Sequence, residues 1–211
     1  DFINVIDPTK RYFLEKDIHE FEKYKFQIDD QIKNTDISFF DLVHERLIER
    51  MQEAKGIYKD VLSEPFDYNS NEEINIDYDK QPFANSKGEL KERWRKQLKY
   101  ATLGSYDSKL TDQEEKKSKD ASYEVKSIKE IESEARASTQ NTLDEFYDFV
   151  DELERKDWFV QYINTIVDEF DPHTYYFAPE DKEKFDVSMS GKFEGIGARL
   201  QKRKDETTFA T

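Results

Sequence analysis

The side chains able to do chemistry in this chain are three histidines, scattered serines, a dense block of carboxylates and one closely spaced glycine pair. His44-Glu45 opens like the H-E-x-x-H pattern, which sets two zinc ligands one helical turn apart. The fifth position is Ile48, so the second imidazole is missing and no one-face zinc site forms. His19 stands beside Glu20 and Glu22 on a polar flank and reads as a surface residue. His173 follows Asp171-Pro172 in a turn, where its ring could cap backbone carbonyls. A serine nucleophile needs a positioned base. No G-x-S-x-G elbow surrounds any serine, and neither Ser133 nor Ser188-Met189-Ser190 has a base that the sequence identifies. The absence of cysteine removes thiolate metal sites, a cysteine nucleophile and a disulfide scaffold together. The chain is therefore expected to carry no catalytic constellation, no metal site and no cofactor of its own.

Two features remain. Between Thr139 and Asp171 lie ten carboxylates against Arg155 and Lys156, a local balance of −8 in a chain whose formal net charge is −15. No D-x-D-x-D-G loop gathers these acids, so a solvated acidic face is expected rather than a cation site. The other feature is Glu194-Gly195-Ile196-Gly197-Ala198-Arg199-Leu200. Glycines flanking Ile196 let successive backbone N–H groups converge on an anion such as a terminal carboxylate, though the same spacing would serve a plain tight turn.

The elements that must position these residues are mostly helical. Leu14, Ile18, Phe21, Tyr24, Ile28 and Ile32 follow one helix face, with Asp17, Glu20 and Glu22 off it, predicting a helix over 14–33. Ser38 is placed as the cap of a longer helix through Phe40, Val43, Leu47, Met51, Ala54, Tyr58 and Leu62, ended near Pro65. Residues 63–87 read as a long irregular connection, with a short extended piece at 74–78. A helix from Glu89 through Leu90, Trp94 and Leu98 is expected to close at Gly104, with Arg93, Arg95, Lys96 and Lys99 solvated on its outer side. Residues 105–120 have little to bury and are expected to form a flexible, protease-sensitive linker. Beyond it, a weakly amphipathic helix begins around Tyr123 to Ile131, a stronger one follows Asn141, and Asp157 caps a helix reaching Phe170. The last 21 residues hold three of the six glycines and change to an alternating pattern, predicting a C-terminal β-hairpin.

Composition limits the function classes. Nucleic acid is an improbable partner for a chain with 33 basic and 48 acidic side chains, because phosphate binding needs a basic footprint. No apolar run approaches the roughly 20 residues that span a bilayer. A mean hydropathy of −0.99 would fit disorder, but 16 Phe, 12 Tyr and 2 Trp supply a core. Eleven Gly and Pro residues are too few for a many-stranded barrel, so the fold class is mainly α.

One internal echo stands out. Asp7-Pro8, Tyr12-Phe13, Asp17 and Phe21 recur as Asp171-Pro172, Tyr176-Phe177, Asp181 and Phe185 at an offset of 164. Either a repeat or convergent turn chemistry produces such a pattern.

The run Asp171-Pro172-His173-Thr174-Tyr175-Tyr176, then Pro179, Phe185 and Ser188-Met189-Ser190-Gly191-Lys192-Phe193-Glu194-Gly195-Ile196-Gly197-Ala198, resembles the junction of carboxy-terminal processing proteases. Asp7-Pro8 to Phe21, and Glu89 to Leu98 with its Trp94-Arg95 pair, resemble the helical N-terminal domain of the tail-specific branch. The resemblance implies a helical domain over 1–184 and the first strands of a PDZ domain, cut short, over 185–211. It implies that Gly195, Ile196, Gly197 and Ala198 form the loop that binds a substrate's terminal carboxylate. A Ser/Lys protease domain would follow beyond Thr211, so this stretch would be the non-catalytic front of a periplasmic serine protease. Its partners would be proteins with apolar C-termini, the remaining PDZ and protease domains, and an adaptor. The competing expectation is a stand-alone helical scaffold that binds partner helices through aromatic stripes.

Overall fold

The computed structural model describes residues 1–190, together with 200–202 and 208–210. The main-chain order is α1 (Phe2–Ile6), α2 (Glu15–Phe21), a 3-10 turn (Glu22–Tyr24), α3 (Ile28–Asn34), α4 (Ser38–Ser63), α5 (Lys87–Lys119), α6 (Ile128–Glu152), α7 (Arg155–Asp168) and α8 (Pro179–Ser190). Two three-residue segments, β1 (Leu200–Lys202) and β2 (Thr208–Ala210), pair antiparallel. The described chain is mainly helical, as the scarcity of Gly and Pro implies. It divides into two compact units, Asp1–Thr165 and Ile166–Thr211.

The core of the first unit is built on α4. Phe40, Val43, Leu47, Met51, Ala54, Tyr58 and Leu62 are all buried on one stripe, which is the face that the 3-4 spacing marks. They meet Leu90, Trp94 and Leu98 of α5 and Ile131, Ala135, Tyr147 and Val150 of α6, all buried. α6 runs antiparallel to α4. The Tyr58 hydroxyl donates to Asp144, Lys55 pairs with Asp151, and Arg136 donates to the Leu62 carbonyl. α5 advances in the same direction as α4, with Lys87 on Glu53 and Lys91 on Asp60. Two neighbouring helices that run the same way need a long return, which the irregular segment 64–86 supplies.

The N-terminal segment is fixed to this core by buried carboxylates. Asp7 is fully buried, and its two oxygens accept from the amides of Arg11, Tyr12 and Phe13 at 2.8–3.0 Å. Burial raises the Asp7 pKa above the ordinary carboxylate value, against the pull of those three amides. Asp17 caps the Leu14 amide at 2.9 Å and also receives Arg50 through two nitrogens at 2.8 Å and Arg46 through a third. Its burial works to raise the pKa, but Arg50, the Leu14 amide and Arg46 outweigh that and hold it below the usual range.

Several sequence expectations are corrected. The helix over 14–33 is broken into α2, a 3-10 turn and α3. The 3-10 turn and turn residues 25–27 interrupt it, Gln27 is the N-cap of α3, the Asp29-Asp30 pair lies in the new first turn, and Thr35 ends α3 at a positive φ of 55°. Its apolar stripe is not buried throughout, since Ile32 is exposed. Asp17, placed off the packing face by its charge, is instead fully buried. Ser38 is the first residue of α4 rather than its cap. The cap position is Ile37, and Asp36 accepts from the amide and hydroxyl of Ser38 in the turn before the helix.

α5 does not close at Gly104, and residues 105–119 are its second half rather than an irregular linker. That stretch contains no proline and is rich in helix formers. Glu115 pairs with Lys119 one turn on, and Gln113 exchanges two hydrogen bonds with the backbone of Lys126. Low hydrophobicity there reflects a one-sided helix, not a missing one. Likewise the two helices expected after Tyr123 and Asn141 are one, α6. It starts at a Ser127–Glu130 capping box and keeps Asn141 in its interior. The extended piece expected at 74–78 is not a strand; the bridge in this region joins Leu14 to Ala84. Asp157 caps α7 from within its first turn, reaching back to the Glu154 amide, and α7 ends at Asp168.

Candidate functional site

Each candidate from the sequence has a definite place. His44 lies half-buried on α4, stacked on Phe40 at 5.6 Å and 6.5 Å from Trp158. Burial and the neighbouring Arg155 charge lower its pKa, opposed by Asp41, so the ring packs as a neutral aromatic group. His19 is exposed on α2. Among the described residues no group of three or more His, Cys, Asp or Glu side chains could hold a metal ion. The acids of 139–171 are dispersed onto structural duties. Asp144 accepts from Tyr58, Asp151 takes Lys55 and Asp157 caps α7.

The basic residues of α5, expected to be merely solvated, clamp the 64–86 connection. Arg93 is buried and donates to the carbonyls of Lys10 and Pro82 at 2.7 and 2.9 Å. Arg95 and Lys99 both hold Glu72, whose carboxyl is driven down to about 2, by Arg95 first and then Lys99. Lys96 donates to the Glu73 carbonyl. The connection thereby folds over a cavity of about 260 Å³ that includes Tyr68, Ser70, Ile74, Lys99 and Tyr100.

Inside that cavity Lys99 Nζ lies 2.5 Å from Ser70 Oγ, which invites a Ser/Lys reading. The geometry argues against it. A lysine acts as a base only when neutral, whereas Lys99 also donates to the Glu72 carboxylate at 2.7 Å, and the Ser70 hydroxyl is turned to the Asp67 carbonyl. Trp94 and Lys10 likewise serve structure: the indole N–H donates to the Arg11 carbonyl, and Lys10 Nζ to the carbonyls of Asp79 and Gln81. Sequence reasoning missed Asp7, Asp17 and Arg93 as anchors. The arginines on Asp17 and the Lys10 carbonyl on Arg93 lie 29 to 83 residues away, so no local pattern announces those two; Asp7 is bonded locally, to the amides of Arg11, Tyr12 and Phe13 just beyond its Asp-Pro turn.

The junction residues form a unit of their own. Asp171 accepts from the His173 amide at 2.9 Å and from the Thr174 hydroxyl at 2.7 Å, an Asx turn that lowers its pKa through those two bonds. It is the His173 backbone, not the ring, that closes this turn. Tyr175 packs on Phe177 at 5.4 Å, and Phe177 stacks on Phe185 of α8 at 5.0 Å. Ser190 donates to the Val187 carbonyl. The candidate carboxylate loop, Gly195, Ile196, Gly197 and Ala198, lies outside the described residues. Among the described residues no helix is long and apolar enough to cross a membrane.

Residues 1–180 match the family model described as the tail specific protease N-terminal domain. The match takes in α1 to α7, the Asx turn and the first residues of α8. The chain belongs to this family and is the helical N-terminal region of a protease chain.

Proposed function

We propose that this chain is the non-catalytic front of a periplasmic tail-specific serine protease, which selects proteins by their apolar C-termini. The observation that carries the reading is the family match over 1–180, with Glu194-Gly195-Ile196-Gly197-Ala198 following after thirteen intervening residues in the sequence. The helical domain is expected over 1–184 and the opening of a PDZ domain over 185–211, but α8 continues to Ser190, so the first PDZ strands come after that residue. The backbone amides of Gly195 to Ala198 receive the substrate's terminal carboxylate, glycine at 195 and 197 leaving the approach unobstructed. The Ser/Lys pair that cleaves lies beyond Thr211. In the unit Asp1–Thr165 the buried charges Asp7, Asp17, Arg50 and Arg93 are taken up by hydrogen bonds within the fold, which suits a part that positions other domains rather than reacting.

A fluorescent peptide with an apolar C-terminus, free or amidated, tests this. Titrated into residues 1–211 it should bind undetectably or very weakly, since a PDZ groove also needs a helix wall. A chain extended through the whole PDZ domain should bind the free acid only, and Gly197→Val should abolish that binding. Tight binding by residues 1–211, or indifference to amidation in the extended chain, would leave Gly195 to Ala198 as a turn and favour the scaffold alternative.

A further inference from the structure

In the first unit a pocket of about 380 Å³ lies where the N-terminal segment crosses α5 and α6. Arg11, then Leu98, Ala101 and Ser105 of α5, and Ser138 and Leu143 of α6 are among the residues that line it. Leu98, Ala101 and Ser105 stand three and four residues apart and so share one face of α5. Ala101, Ser105 and Ser138 are too small to fill the space between the helices, which leaves a gap where larger side chains would interdigitate. Among the described residues no carboxylate lines it, in a chain whose net charge is −15.

Arg11 is half-buried and fixed at its backbone and its ring contacts. Its amide donates to Asp7 at 2.8 Å, and its carbonyl accepts the Trp94 indole N–H at 2.8 Å. The guanidinium lies 4.6 Å from the centre of the Trp94 ring and 5.5 Å from that of Tyr12. Arg46, Arg50, Arg93, Arg95, Arg136 and Arg155 each donate to a carboxylate or a carbonyl. The Arg11 guanidinium donates to no described residue, so its planar fork of five N–H groups is unspent. Asp7, whose charge reaches Arg11 through space, is fully buried and gives its two oxygens to three backbone amides. The Ser105 hydroxyl also bonds to no described residue, whereas Ser138 and Thr142 donate to carbonyls one turn back in α6.

We propose that this pocket binds an organic carboxylate with a short aliphatic body, the Arg11 guanidinium taking the carboxylate and Leu98, Ala101 and Leu143 the body. A carboxylate matches the guanidinium fork through two parallel N–H···O bonds, and Ser105 offers a further donor. The Trp94 ring already holds the guanidinium, so little side-chain freedom is lost on pairing. The volume lies at the small end of ligand pockets, and a few well-placed polar groups on an apolar floor are what such pockets use to orient a ligand. That floor favours an aliphatic acid over inorganic phosphate, which has no apolar surface to bury there. A free aliphatic acid and the carboxyl terminus of a short peptide share this chemistry. The site stands whether or not the chain fronts a protease.

Titration of residues 1–211 with isocaproate, followed by NMR at the Arg11 Nε–H and the Trp94 indole N–H, tests it. Both signals should shift saturably, with neutral isocaproamide and inorganic phosphate each binding about tenfold more weakly or worse. Arg11→Gln removes the charge from a side chain that bonds to no neighbour, and should weaken isocaproate about tenfold or more, read at Trp94. Ala101→Met fills the floor, keeps the cation and should weaken it as much. Lys16→Gln, which removes a cation that does not line the pocket, should leave binding unchanged. Unshifted amides over 38–63 show that each variant is folded. Acetyl-alanyl-leucine binding more tightly than isocaproate marks a peptide terminus as the source, and the reverse order a free acid. No saturable shift, equal binding of acid and amide, phosphate binding as tightly as isocaproate, or parental binding by Ala101→Met would overturn the proposal.

Discussion

Asp17→Asn should be among the most damaging single substitutions in the helical unit. The Asp17 and Arg50 side chains are 0% and 2% exposed, so removing the carboxylate charge leaves a guanidinium in the core without its main partner. Breaking a buried pair in this way costs about 3–5 kcal/mol. The lower end applies, because Glu53 still holds Arg50 at 2.9 Å and an asparagine oxygen can still cap Leu14. About 3 kcal/mol corresponds to a fall in Tm of roughly 6–12 °C for a domain of this size. Urea unfolding of the parent, Asp17→Asn, Arg50→Met and the double variant gives the coupling. The double variant should be more stable than the sum of the singles predicts by about 2 kcal/mol, since methionine leaves no orphaned charge. The pH dependence adds a second readout. The folded pKa of Asp17 lies below its unfolded value, so the stability it contributes is fully present above about pH 4 and is lost as pH falls through the folded value. The gap between parent and Asp17→Asn should thus be flat from neutral pH down to about 5 and narrow below 4. A loss under about 1 kcal/mol, or additivity with Arg50→Met within about 0.5 kcal/mol, would refute this account of the anchor.

Other outcomes follow from the same structure. His44 has a lowered pKa, so its stability contribution is present above the unfolded value and lost as pH falls below about 6.5; His44→Phe, which keeps the Phe40 contact, should abolish that loss in thermal melts across pH 5–7.5. A Cβ built on Gly104 meets no heavy atom within 4 Å, so Gly104→Ala should stabilise by about 1 kcal/mol, whereas a glycine ending the helix there would make the same change destabilising. Within residues 1–165, trypsin should cut after Lys80, in the irregular connection, before it cuts after Lys109, inside α5; early fragments identified by mass spectrometry decide the order.

Periodicity made α4 legible because its buried stripe is continuous and its ends carry strong signals. It failed over 14–33, where Leu14 to Ile32 keep the spacing but a 3-10 turn and turn residues 25–27 interrupt the helix, and over 105–119, where a helix with few apolar groups has the composition of a linker. Buried charge was the least legible feature. Asp17 looked solvent-facing because its partners Arg46 and Arg50 lie a helix away, and Arg93 looked solvated because its acceptors are carbonyls of Lys10 and Pro82. The Asp-Pro echo was visible in sequence, but its two turns differ in their side-chain bonds: Asp7 accepts from the Arg11, Tyr12 and Phe13 amides, Asp171 from the His173 amide and the Thr174 hydroxyl. The family resemblance rested on Asp7 to Phe21, on Glu89 to Leu98 and on Asp171 to Ala198, and the match over 1–180 supports its helical part.

Whether residues 1–211 are a non-catalytic front of the protease is decided by a cleavage assay. An unfolded protein with an apolar C-terminus, and its amidated counterpart, are incubated with repurified residues 1–211 and with the full-length protease, and the products are read by mass spectrometry. The account predicts no cleavage by residues 1–211, and cleavage of the free-acid substrate by the full-length chain. Specific cleavage by residues 1–211 that disappears on replacing one of its own serines, such as Ser70→Ala, would contradict it.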